Sequence, residues 1–253
     1  MLKPKGLDWY KNIWTLDIKN ESWVEDTENQ VDFIVKTLML TGKERILDLA
    51  CGFGRHSLSL AKRGYSVVGV DITKDYIDDA KDSAQKESLT AEFICADIRD
   101  IHFTNEFDVV LNLADGAVGY LENEEENLKI FDKISNALVS GGKHFMDLCS
   151  ADHAELCFPH RGWEVGEKAL ALALFEWDKE NRKVIYAGWN IPYGAPAIKP
   201  SFVEGDSYRL YFKSEIYDIL SQRQMRIVDT YSNYYGKKDS PQELQLLVYS
   251  RKE

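Results

Sequence analysis

The chain has 253 residues, 44% of them hydrophobic, and a formal net charge of -11. That length buries a full core as one large domain, or as one domain with an insertion, and the acid excess works against a polyanionic partner, because nucleic-acid binding rests on Lys and Arg neutralising phosphates. The longest unbroken apolar run, Ala169 to Phe175, falls far short of the roughly 20 residues that cross a bilayer, and Met1-Leu2-Lys3-Pro4 opens no signal-peptide pattern. A cytoplasmic protein with neither membrane nor nucleic-acid partners is expected. Cys51, Cys95, Cys149 and Cys157 share no C-x-x-C spacing, so neither disulfides nor a metal site is expected.

Residues 1–26 are aromatic and irregular, and Thr27–Leu40 carries a helical stripe at Val31, Ile34, Val35 and Leu38. Short β-rich runs follow at Arg45–Leu49, Ser66–Val70, Glu92–Cys95, Phe107–Asn112 and Lys143–Leu148. Helices are expected between them at Arg55–Arg63, Lys74–Lys86 and Glu124–Val139, with Thr73 and Asn123 as N-caps and Gly64 and Gly141 as stops. This alternation to about residue 150 predicts an α/β doubly wound, mostly parallel sheet. Beyond it, Lys168–Trp177, Arg182–Asn190 and Ser207–Phe212 read as strands of a small antiparallel β insertion, with a turn at Asp178–Asn181. A helix at Lys213–Gln222 and strands at Met225–Tyr234 and Leu244–Arg251 would return to the main sheet as an antiparallel pair. The expected organisation is a core with an N-terminal lid over 1–150, the insertion over 151–212, and a completing segment over 213–253.

The chemistry concentrates at strand ends. In Arg45-Ile46-Leu47-Asp48-Leu49-Ala50-Cys51-Gly52-Phe53-Gly54 a strand runs into a glycine turn that opens a helix, which lets the backbone and the unpaired helix N–H groups approach a polar ligand. A dinucleotide fingerprint would have glycine where Ser57 stands, and Asp48 would repel a pyrophosphate while suiting a cationic ligand. Asp71 ends the second strand, where a carboxylate can accept both hydroxyls of a ribose, and Asp97 follows the third, where it can accept from an exocyclic amine. Three carboxylates at successive strand ends form one rim.

These residues resemble the class I S-adenosylmethionine-dependent methyltransferases, bacterial small-molecule type, whose D-x-x-x-G-x-G motif is matched by Asp48, Gly52 and Gly54. The resemblance spans about residues 40–150. It implies a Rossmann-like methyltransferase sheet with S-adenosyl-L-methionine as cofactor: Asp48, Ala50, Gly52 and Gly54 at the methionine part, Asp71 at the ribose, Asp97 at the adenine amine, and Ile72 and Ile98 as apolar walls. Ala50 replaces the more usual glycine. The fourth motif matches Phe107–Leu113, bringing Asn112 and Leu113 to the cofactor, and Gly141-Gly142 matches the turn before the fifth strand.

Methyl transfer from a sulfonium needs an acceptor held in line, water excluded, and any acceptor proton removed. The segment 112–120 faces the methyl in this family and lacks the Asn/Asp-Pro-Pro-Tyr/Phe signature of enzymes acting on base and glutamine amino groups. Asp115 is a candidate to orient an amine or accept a proton, and equally a candidate loop cap; His153 and His160 are candidate bases for a hydroxyl acceptor. Tyr10, Trp14, Trp163, Trp189, Tyr193 and Tyr211 are candidate walls of the acceptor site, and Arg161 and Arg209 candidate anchors for an acidic group. The layout looks like bacterial methyltransferases of amino sugars or glycine-type amines, which favours a small-molecule amine over a hydroxyl. Two alternatives stay open: an RNA- or protein-directed methyltransferase, which would show a continuous basic surface, and an NAD-dependent dehydrogenase or ligand sensor, which NAD would protect against heating.

Overall fold

A computed structural model describes residues 2–199 and 203–253. A two-residue strand β1 (Lys3–Pro4) precedes three short 3-10 turns at Trp9–Lys11, Leu16–Asn20 and Ser22–Val24, and then α1 (Thr27–Thr37). The βα alternation follows as β2 (Arg45–Leu49), α2 (Arg55–Lys62), β3 (Ser66–Asp71), α3 (Lys74–Lys86), β4 (Ala91–Cys95), β5 (Phe107–Asn112), α4 (Glu124–Ala137) and β6 (Leu138–Cys149). After it come α5 (Ala151–Cys157), β7 (His160–Val165), β8 (Ala169–Asp178), β9 (Lys183–Pro192), β10 (Glu204–Arg209), α6 (Lys213–Ser221), β11 (Met225–Tyr231) and β12 (Gln245–Lys252).

Seven strands make the main sheet in the order β4-β3-β2-β5-β6-β12-β11. The first five are parallel, and β12 runs antiparallel to both β6 and β11. The β2–β5 strands read as continuous apolar runs because both sheet faces are covered. In β5, Val109 and Leu111 join a cluster with Val31, Ile34, Leu38 and Leu60 of the α1–α2 side, while Val110 joins Ile130, Phe131 and Ile134 of α4. From β2 the chain winds outward to β3 and β4, then returns across β2 to β5, so the order reverses between β2 and β5. Ligands of open α/β sheets bind outside the carboxyl ends of the strands at such a reversal.

The second sheet has the order β1-β10-β9-β8-β7, with β1 parallel to β10 and the rest antiparallel. Its inner face, with Val184 and Tyr208 and the partly buried Phe175, Trp177 and Tyr186, packs on the α4 side of the core. Its outer face keeps a small cluster of Leu2, Leu174, Ile185 and Ala187.

Several boundaries differ from the sequence reading. The α4 helix stops at Ala137, with Leu138 already extended at ψ 139°, because Leu138 pairs with Phe107; Gly141 lies inside β6 instead of ending the helix. Thr73 makes no side-chain cap, and its backbone N–H donates to Asp71 Oδ1 at 2.8 Å. Asn123 does cap α4, accepting from Glu126 N at 3.1 Å. Strand β10 lies three residues upstream of the expected span, β11 ends at Tyr231, and α5, β1 and β7 had no clear sequence signal. Among the described residues no helix is long and apolar enough to cross a membrane.

Candidate active site

The glycine turn after β2 is a run of left-handed residues, with φ of 55° at Ala50, 56° at Gly52 and 76° at Gly54. Gly54 is fixed by space as well, since a Cβ there would lie 2.8 Å from the Phe93 ring. The turn is tied from both sides by the acids of the strands. Ser57 Oγ donates to Asp48 Oδ2 at 2.6 Å, and burial pushes the Asp48 carboxyl up to about 6. Gly52 N donates to Asp71 Oδ2 at 2.9 Å, and burial again raises the pKa of Asp71. Asp97 is clamped by Arg99, whose Nε and Nη2 donate at 3.0 and 2.6 Å; although partial burial acts to raise its pKa, these bonds hold it below the usual carboxylate range. Arg99 Nη1 also bridges to Glu122 and Glu126. Ile72 is exposed just past the end of β3, whereas Ile98 is buried in the same large cluster that holds Trp9 and Tyr10.

The rim has a fourth acid that the sequence reading missed. Asp147 near the end of β6 is 6% exposed, accepts from Tyr234 Oη at 2.7 Å, and leaves Oδ1 without a partner. Desolvation pushes its carboxyl up to about 7. Arg55, the first residue of α2, electrostatically faces Asp147 and Asp48, and its Nη1 is held by Thr27 Oγ1 and Gln30 Oε1 of α1, each at 2.7 Å. The available signals were a carboxylate interrupting the apolar run Phe145-Met146-Asp147-Leu148 and a guanidinium directly after the glycine turn.

Beyond β5 the backbone is left-handed at four consecutive residues, with φ of 52°, 64°, 52° and 64° at Ala114, Asp115, Gly116 and Ala117. Three of these carry a Cβ, at a cost of roughly 1–2 kcal/mol each, so the surrounding structure must impose the turn. Asp115 N donates to Asp147 O at 2.8 Å, Val118 N to Asp115 O at 2.8 Å, and Asn112 Nδ2 to Leu49 O and Gly116 O at 3.2 and 2.9 Å. A Cβ on Gly116 would lie 2.2 Å from Asn112 Nδ2. Asn112 is therefore a fully buried clip between the two loops, with Oδ1 unpaired, and the Leu113 side chain packs away into the α1–α2 cluster.

This turn presents the Asp115 carboxylate. Cys149 N donates to Oδ1 at 2.9 Å and Tyr120 Oη to Oδ2 at 3.3 Å, with Tyr208 alongside, and burial raises its pKa. Over it lies an aromatic group: Tyr120 and Tyr208 at 4.9 Å between ring centroids, Trp9 and Tyr120 at 4.9 Å, and Trp9 and Trp14 at 6.1 Å. Tyr10 packs edge-on to Trp9 with its buried hydroxyl unpaired. The N-terminal segment is pinned on all sides. Tyr76 Oη donates to Thr15 O at 3.0 Å, Lys19 pairs with Asp79 at 2.5 Å, and Trp9 Nε1 donates to Ser207 O at 3.1 Å.

The remaining expected site residues lie elsewhere. Strand register puts Arg161 opposite Leu174, and Trp163 and Trp189 opposite Leu172, which is the outer face of the second sheet, turned away from the face that packs on the core. The structure does not bring them to Asp115. Tyr193 is exposed and donates to Gly166 O. Tyr211 is buried against Phe131, and Arg209 stacks on it while pairing with Glu124 and Glu215, so both are committed to structure. His153 sits on α5 beside the Phe158 ring, and His160 is exposed at the start of β7. The buried orphan oxygens at Asn112, Asp147 and Tyr10, beside an acidic rim, fit a ligand that carries positive charge and several N–H and O–H donors.

A methyltransferase-domain family matches residues 46–142. A protein of Geobacillus sp. (strain WCH70) that carries a methyltransferase name is 25% identical over 223 residues, 87% of this chain and 83% of that one. The glycine/sarcosine N-methyltransferase of Aphanothece halophytica is 27% identical over 128 residues, about half of either chain (50% and 48%). Among solved structures, an S-adenosylmethionine-dependent methyltransferase from Clostridium acetobutylicum ATCC 824 superposes with a TM-score of 0.74 at 19% identity, covering 93% of this chain and 96% of that one. With the glycine turn, the strand-end acids and the strand order, these matches show a methyltransferase domain over residues 46–142 and support an S-adenosylmethionine-dependent methyltransferase of class I.

Proposed function

We propose that the enzyme methylates a small-molecule amine, which binds as an ammonium against Asp115 beneath the Trp9, Trp14, Tyr120 and Tyr208 rings. The observation that carries this reading is one partly buried carboxylate set among aromatic faces, a combination that attracts cations through charge and ring quadrupole together. The glycine/sarcosine N-methyltransferase relative agrees in acceptor type. The net charge of -11 and the acidic rim argue against an RNA acceptor.

The cofactor, when bound, supplies an electrophilic methyl on a sulfonium sulfur. In this reading Asp48, Ala50, Gly52 and Gly54 receive its methionine part, with Arg55 and Asp147 suited to the carboxylate and ammonium; Asp71 receives the ribose, and Asp97 the adenine amine between Ile72 and Ile98. Asp115 first pairs with the acceptor ammonium and then takes one N–H proton, for which its burial-raised pKa prepares it. The freed nitrogen lone pair forms the N–C bond as the C–S bond breaks, and the sulfur leaves as a neutral thioether. Asp115 returns its proton to solvent, while the aromatic cover and the N-terminal segment exclude water.

The test is a panel of small primary and secondary amines and matched alcohols, read by S-adenosylhomocysteine release and product mass. Methylated amines with loss of turnover in Asp115→Asn support the reading. Transfer to alcohols alone, or to RNA, overturns it.

A further inference from the structure

The two sheets have four outer strands, and three of them are protected against pairing with another chain. Strand β1 is two residues long and ends in Pro4. Strand β11 has a register irregularity between Ile227 and Asp229 and carries Arg226. Strand β4 is five residues long with Glu92 within it. Strand β7 differs. Its six residues, His160-Arg161-Gly162-Trp163-Glu164-Val165, also carry charges, at Arg161 and Glu164, but they form a regular ladder longer than β1 or β4, have no partner on the outer side among the described residues, and leave the large apolar side chains of Trp163 and Val165 72% and 65% exposed. Alongside runs a hollow of about 480 Å3 lined by Leu2, Arg161, Gly162, Leu172, Leu174 and Glu176.

We propose that two copies of this chain associate through β7, paired antiparallel about a two-fold axis at Gly162, so that the two second sheets become one continuous sheet. A two-fold axis normal to the sheet keeps each residue on its own face, which restricts the pairing to registers that match residues of like parity. With the axis at Gly162 the two side-chain-free positions meet at the centre. Arg161 of each copy then lies opposite Trp163 of the other, and His160 opposite Glu164. Each contact occurs twice, pairs a cation with an indole face or a basic ring with a carboxylate, and involves like-facing neighbours. Moving the axis to Trp163 would oppose the two indoles and set Arg161 against Val165, losing this complementarity. The pairing also explains why Arg161 and Trp163 are turned away from the methyl-transfer site, and it is independent of which acceptor that site takes.

The experiment is sedimentation equilibrium of the full chain up to about 100 µM, together with cysteine cross-linking. A dimer is expected. Trp163→Lys, which sets like charges opposite Arg161 of the other copy twice over, is expected to raise its dissociation constant by about 10²-fold through two lost Arg–Trp contacts, while S-adenosylhomocysteine still raises the melting temperature as in the wild type, which shows the variant folded. Cα atoms of directly opposed residues lie within disulfide reach, so oxidised Gly162→Cys should form a covalent dimer. Arg161→Cys should cross-link only when mixed with Trp163→Cys. A wild-type chain that stays monomeric, or a dimer that survives Trp163→Lys, overturns the proposal; self-cross-linking by Trp163→Cys in place of Gly162→Cys overturns the register.

Discussion

The proposed cofactor rim and the proposed acceptor chamber both lie at the carboxyl edge of one sheet, yet they are made in different ways. The rim is local: the glycine turn, the acids at the ends of β2 and β3, and Asp97 just beyond β4 fall within residues 48–97, and each is placed by the strand beside it and by bonds to near neighbours in the chain. The chamber is assembled from afar. Its carboxylate sits on a left-handed turn after β5, its rings come from positions 9, 14, 120 and 208, and β10 is docked on the turn by the Arg209 N–H to Gly119 carbonyl bond at 2.9 Å. Rim geometry is thus carried by sheet hydrogen bonds, and chamber geometry by tertiary packing. The first should persist across acceptors, and the second should set acceptor choice.

Asp115→Asn separates the two regions most sharply. The amide keeps the turn's shape and loses both the charge and the proton site, so kcat/KM for the acceptor should fall by about 10²–10⁴-fold, with S-adenosylhomocysteine affinity by calorimetry changed less than about threefold. An equal loss in both measurements would mean that chamber and rim are one unit. Gly116→Ala comes next. Its Cβ would lie 2.2 Å from Asn112 Nδ2, the clip that touches both loops, so overpacking should lower stability by about 3 kcal/mol in denaturant titration and weaken cofactor and acceptor binding together. A change below about 0.5 kcal/mol would show that the turn adapts and that Asn112 does not couple the regions.

The difference between the regions also accounts for what could be read from sequence. A strand that ends in Asp48 and a turn with Gly52 and Gly54 are contiguous signals, and the acids at 71 and 97 repeat them at each strand end. The same logic reaches Asp147 less directly: it falls inside the expected strand Lys143–Leu148, one residue before its end, and its place on the rim is set by Tyr234 and Arg55, partners distant along the chain. For the chamber, sequence offered residue types without addresses. Tyr10 and Trp14 belong to the cover, yet Trp9, Tyr120 and Tyr208, which form its centre, look no different from core aromatics. Trp163 and Trp189 are aromatics of the insertion and so read as walls of the acceptor site, whereas strand alternation turns them outward. Arg209 and Tyr211 are used up by Glu215, close by in the chain, and by Glu124 and Phe131, far from both along it.

Within the rim, Asp71→Ala should weaken cofactor binding by about 1.5–3 kcal/mol, the range for hydrogen bonds to a charged group, because it removes the proposed ribose acceptor and releases Gly52 N and Thr73 N. The acceptor KM should move little. Calorimetry with S-adenosylhomocysteine checks the first part and steady-state kinetics the second. An unchanged dissociation constant would take Asp71 out of the site.

The last effect is a slope with pH. Asp147 is buried and its carboxyl is pushed up to about 7, well above the ordinary value of 3.8, so between these two pH values the folded chain binds a proton that the unfolded chain has released. Stability supplied by this group is greatest at low pH and falls as pH rises toward 7, by at most about 1.4 kcal/mol per pH unit. Asp147→Asn keeps an acceptor for Tyr234 Oη and removes the titration, so the difference in unfolding free energy between wild type and variant should drift in favour of the variant from pH 4 to 7 and then level off. Adding S-adenosylmethionine should flatten the wild-type slope above pH 5 if its ammonium pairs with Asp147 and stabilises the charged form. A slope unaffected by the substitution would place the ionisation elsewhere, with the buried Asp48, held up to about 6, as the next group on the same rim to replace.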